Sequence, residues 1–123
     1  MNLLSTLMIG FIAIIHLYIL WLEMFAWTTR APKVYKTIAP DQFKKTKVMA
    51  ANQGLYNGFL AAGLIWALLI PNENWSHNVA LFFLSCILIA GLYGALTVSK
   101  RIFFVQALPA ILGILTLWLP FKY

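Results

Sequence analysis

The sequence has little of what soluble enzymes are built from. It holds three acids, two histidines and one cysteine in 123 residues. Cys86 has no mate, which excludes an intrachain disulfide. One His and one Glu within the apolar stretches do not make a tetrahedral or facial-triad set, so no metal is expected. Neither a phosphate-binding glycine loop nor a nucleophile elbow is present. No cofactor is therefore expected. Charge is also scarce. Only 10% of the residues are charged, 63% are hydrophobic and the mean hydropathy is +0.86. A soluble domain of this size cannot hide so much apolar surface, so residues 1–123 read as a single membrane domain.

What is abundant is long apolar runs with basic borders. Leu3 to Trp27 is an apolar run with two ionisable positions, His16 and Glu23, and it lacks the basic leader of a signal peptide. Arg30-Ala31-Pro32 closes it, because the residue before a proline leaves helical geometry. Asp41 reads as the cap of a second helix, whose lead-in turn continues through Lys44, Lys45 and Lys47. The expected fold is all-α: four transmembrane helices at about 3–27, 41–70, 76–98 and 102–120 in an antiparallel up-down bundle. Pro109 inside the fourth removes a backbone bond and kinks it.

The net charge of +6 matters less than its placement. The first connection carries Arg30, Lys33, Lys36, Lys44, Lys45 and Lys47, and the third carries Lys100 and Arg101; the opposite side has only Lys122. Eight against one places loops 28–47 and 99–101 in the cytoplasm and both termini outside. Trp66, Trp75 and Trp118 then mark the outer interface, with Trp27 and Tyr35 at the inner one. Basic residues bordering apolar spans suit a lipid bilayer with anionic headgroups better than nucleic acid, so no nucleic-acid partner is expected.

The chain is organised around Met49 to Gly63. Ala50, Gly54, Gly58 and Ala62 recur every four residues, a small-residue face that admits another helix at close range. Asn52, Gln53, Tyr56 and Asn57 add polar groups in the same turns, and Gln53 and Asn57 are neighbours four residues apart. By rise per residue, Glu23 lies about 12 Å to the cytoplasmic side of the midplane. Gln53, Asn57 and Gln106 lie on that side too, at about 3–9 Å. Tyr93 enters the same layer, and His16 lies two turns before Glu23 on one stripe, near the midplane. The candidate pocket is Glu23, Gln53, Asn57, Gln106, His16, Asn52, Tyr56, Trp27 and Tyr93. Each member has a plain alternative. The amides serve equally as interhelical glue, His16 as a hydrogen-bonded core residue, and Glu23 as a helix-end acid paired with Arg30.

His16-x6-Glu23-Met24-x2-Trp27, then Ala51-Asn-Gln-Gly-Leu-Tyr-Asn-Gly-Phe-Leu-Ala-Ala-Gly-Leu64, then Gln106-x2-Pro109-Ala110 form a pattern. It resembles that of a small bacterial integral membrane family, domain of unknown function 1304. The resemblance implies a four-helix protein of a bacterial plasma membrane and one site shared by the three motifs; the family carries no established activity. Three functions stay open. The first is a binding or transport module, in which a small amphipathic or cationic ligand meets Glu23, the amides bond it, and Trp21, Trp27 or Tyr56 stack on it. That plan is similar to small multidrug efflux proteins, without their motif around the acid. The second is a structural or accessory subunit that dimerises through glycine–alanine faces such as Ala90, Gly91, Gly94 and Ala95. The third is an intramembrane enzyme using Glu23 and His16 as acid and base on a lipophilic substrate.

Overall fold

The computed structural model describes residues 1–120 and is helical throughout, with no strand among them. The elements are α1 (Leu3–Met24), α2 (Ala31–Val34), α3 (Gln42–Lys45), α4 (Lys47–Leu69) and α5 (Glu73–Thr97). A π-helical turn (Phe103–Ala107) then leads into α6 (Leu108–Leu117). Lys122, the lone basic residue counted for the outer side, lies outside the described residues.

Each boundary has a local cause. The Asn2 side chain caps α1 by accepting from the Ser5 N–H at 2.8 Å. Its amide also donates to the carbonyls of Thr116 (2.7 Å) and Leu119 (3.2 Å), tying the start of α1 to the end of α6. α1 stops at Met24, three residues before the expected end. Pro32 does not close it; it sits in the first turn of α2, where its missing N–H costs nothing.

The second expected helix is not continuous. Thr46 (φ −107°, ψ 12°) separates the single turn α3 from α4. Its hydroxyl donates to the Gln42 carbonyl at 2.8 Å and accepts from Trp27 Nε1 at 3.0 Å, a local alternative to the helical ladder. Asp41 makes no side-chain cap bond; it lies 3.9 Å from Lys45 Nζ instead. α5 begins three residues earlier than expected, because Asn72 Oδ1 accepts the Trp75 N–H at 3.0 Å. Pro109 does not simply kink the last helix. Its ring would meet the carbonyl four residues back, and the turn before it widens so that the Leu108 N–H reaches Phe103.

α1 packs on α4 and α6, α4 on α5, and α5 on α6 and the π turn, closing a ring of four long helical segments. Ring neighbours run antiparallel: Asn2 at the start of α1 bonds Thr116 near the end of α6, and Glu23 at the end of α1 meets Gln53 near the start of α4. The main core gathers Ile9, Ile12, Leu64, Leu84 and Ile87. Trp27, Ala31, Phe43 and Ala50 form a second cluster beneath the end of α1.

The small-residue face of α4 is partly as expected. Ala50 and Gly54 are buried, but Ala61 and not Ala62 completes the contact. A step of four residues overshoots a turn by about 40°, so the series rotates out of the interface. α1 and α5 are long and apolar enough to cross a membrane. The stretch 103–117 is shorter, and α4 owes its lower hydropathy to Lys47, Asn52, Gln53 and Asn57.

Candidate functional site

Glu23 occupies the last turn of α1 and is only 1% exposed. Gly54 puts α4 against it: a Cβ there would stand 2.9 Å from Glu23 Cβ and 3.2 Å from the Leu20 carbonyl oxygen. The residues flanking that glycine reach the carboxylate. Gln53 Nε2 donates to Oε2 at 2.6 Å and Asn57 Nδ2 to Oε1 at 2.7 Å. Asn57 Nδ2 also lies 3.2 Å from the Gln53 carbonyl, which fixes the pair to each other. Each carboxylate oxygen therefore has one donor and lone-pair capacity to spare. Both amide N–H groups point at the acid, so the carbonyl oxygens Gln53 Oε1 and Asn57 Oδ1 remain for another partner.

Among the described residues no cation pairs with the carboxylate. Arg30 is exposed, and among the described residues the one ion pair is Lys45–Asp41. Asn57 is buried while Gln53 is exposed, so the cluster reaches the surface past Gln53. Tyr35, in the connection after α2, was not part of the expected pocket. Burial pushes its phenol well above the ordinary tyrosine range, with the Glu23 carboxylate and the Tyr18 phenol adding to the shift. An aromatic among basic residues gave no sign of that placement. Only the folding of residues 25–46 under α1 brings it within the field of Glu23.

His16 is fully buried on the same stripe of α1. Its Nδ1 lies 2.9 Å from the Ile12 carbonyl, so the proton sits on Nδ1 and Nε2 carries a lone pair. That Nε2 has no partner, the one such buried side-chain atom among the described residues. An unsatisfied buried acceptor costs about 1–3 kcal/mol. Between His16 and Glu23 stands Leu20, whose Cδ1 lies where a side chain at Gly58 would be.

The other expected pocket members lie elsewhere. Asn52 is exposed and donates to the Val48 carbonyl of its own helix at 3.1 Å. Tyr56 and Tyr93 are exposed. Asn52 and Tyr56 each precede a Glu23 ligand by one residue, which turns them about 100° away. Trp27 is buried, but against Tyr35 and Phe43 rather than at the carboxylate. Gln106 lies half-buried in the π turn, its Cβ against Gly91 of α5, and makes no hydrogen bond to Glu23. Two cavities, of about 330 and 630 Å³, open at the far end around Met1, Glu73 and the edge-on pair His77–Trp118; neither touches Glu23. No group of three metal-ligating side chains forms among the described residues.

Two comparisons place the chain among known sequences. The family described as protein of unknown function (DUF1304) matches residues 10–118. The uncharacterized protein YpaA of Lactococcus lactis is 28% identical over 118 residues, covering 94% of this chain and 98% of that protein. No solved structure matches.

Proposed function

The chain belongs to the DUF1304 family, whose function is unknown, and from the buried carboxylate outward we propose that it binds a small cationic amphiphile within a membrane. The ligand's nitrogen reaches Glu23 past Gln53 from the cytoplasmic leaflet. It donates to the carboxylate and to the two spare amide oxygens, and translocation is one use of such a site. One observation carries the reading: a carboxylate 1% exposed, held by two neutral amides and paired with no cation among the described residues. An acid at such depth is expensive to keep and by default marks a site. The remaining acceptors, all oxygen, select for a partner rich in N–H donors.

The setting belongs to the same proposal. The four long segments are four spans of a bacterial plasma membrane, with both termini outside and the basic connections in the cytoplasm. Support comes from the outward faces: Ile14, Phe82 and Leu96 are 65%, 63% and 87% exposed, side chains that lipid would cover. The eight-to-one charge split supports the orientation, and the bacterial relative supports the compartment.

Melting of the detergent-purified protein with a panel of lipophilic primary and quaternary amines tests the reading. A ligand that binds the folded state raises the melting point. Primary amines should shift the wild type and leave Glu23→Gln unmoved. Equal shifts in both proteins would sink the carboxylate site. A null result in the whole panel would favour the accessory-subunit reading instead.

A further inference from the structure

His16 is the one residue whose chemistry the carboxylate cluster leaves unused. Its ring is fully buried, Nδ1 is committed to the Ile12 carbonyl, and Nε2 faces the interior with nothing to accept from. A buried water is a poor answer, because such waters hold two to four polar partners and no other fully buried side-chain polar atom among the described residues lacks one. A leucine of similar size would fill the place without the orphan acceptor.

His16 stands on the stripe of α1 that carries Glu23, about 10 Å away along the helix. The side chain between them is Leu20, and it leans into the space left open by Gly58. Leu20 is the side chain that a ligand would have to displace beside Gly58 to lie along the α1–α4 seam.

We propose that His16 Nε2 is a second anchor for the same ligand, which rests on the reading of Glu23 as its first. The ligand is then a long-chain amine with an O–H or N–H donor about 10 Å from its cationic nitrogen. The nitrogen sits at Glu23, the chain passes Leu20 beside Gly58, and the donor meets Nε2. Nε2 can only accept, so an ether or ester at that position gains nothing.

The test uses long-chain primary amines that differ only in where a single hydroxyl sits, with affinities from thermal shifts of wild type and His16→Leu. In the wild type one hydroxyl position should bind about tenfold tighter than the parent amine, the worth of one buried hydrogen bond. His16→Leu should bind the parent amine as wild type does and lose the preference. Without ligand it should melt no lower than wild type. Parent-amine binding with no preferred position overturns the His16 anchor and leaves Glu23 standing. So does a preference that survives in His16→Leu, or a variant that melts far below wild type or does not fold, since His16 would then hold a structural partner. No amine binding at all overturns both.

Discussion

Gly54 offers the sharpest test of how the carboxylate cluster is assembled. An alanine there places a methyl 2.8 Å from Met24 Cγ, 2.9 Å from Glu23 Cβ and 3.2 Å from the Leu20 carbonyl oxygen. Met24 is flexible and can yield, but Glu23 Cβ and the Leu20 carbonyl belong to the backbone path of α1. The helices must separate by some tenths of an ångström, at a cost of about 1–3 kcal/mol for overpacking. Glycine to alanine in a helix returns about 1 kcal/mol of propensity, so the net loss alone is ambiguous. Gly10 removes the ambiguity. It lies in α1 with nothing within 4 Å of its would-be Cβ, so Gly10→Ala carries the propensity gain without the clash. The difference between the two variants should be about 1–3 kcal/mol, or about 4–12 °C in melting temperature at about 4 °C per kcal/mol. Circular dichroism in one detergent suffices to measure it. Equal melting points for Gly54→Ala and Gly10→Ala would refute the close approach of α4 to Glu23, and with it the positioning of Gln53 and Asn57.

Glu23→Leu should destabilise by about 1–3 kcal/mol, chiefly by stranding the buried Asn57 amide, and Glu23→Leu with Asn57→Leu should recover much of it; independent, additive losses would argue against their bond. Trp27→Phe and Thr46→Val should each cost about 1 kcal/mol or more in thermal melts, and the double variant less than their sum, because one of the hydrogen bonds they lose is shared; fully additive losses would argue against that bond. The Tyr35 phenol is held above its unfolded value of 10.0, so the stability it contributes is complete below pH 10 and is lost as pH rises further. Tyr35→Phe should therefore flatten the alkaline limb of a stability-versus-pH curve; an unchanged limb would mean that Tyr35 is not buried beside Glu23.

Much of the site was legible because its ingredients are rare in apolar sequence. An acid in an otherwise apolar run and two amides four residues apart announce themselves, and Glu23, Gln53 and Asn57 do meet. Which polar residues face inward was less legible. Asn52 and Tyr56 differ from Gln53 and Asn57 by one position each, and only the rotation of α4 set by Gly54 decides between them. Thr46 breaking α3 from α4 could not be seen either, since it depends on Trp27 arriving from nineteen residues away. Tyr35 was hidden for the same reason. The capping by Asn2 and Asn72 follows ordinary local rules and was open to a closer reading of the sequence.

The widened turn at 103–107 bears on how this chain tolerates change in length. A π turn holds one residue more than an α turn, so the extra residue is absorbed in the bulge and the helix beyond it keeps its phase. Upstream, Ile102 rests on Gly94; downstream, Gly113 meets Ile12 and Leu84. Straightening this turn into regular helix without removing a residue would rotate one end by about 100° relative to the other. The bulge thus acts as a spacer that reconciles two docking surfaces cut to different registers. A homologue one residue shorter here, and without the proline, could run as a regular helix and keep both the glycine seat on α5 and the one beside α1.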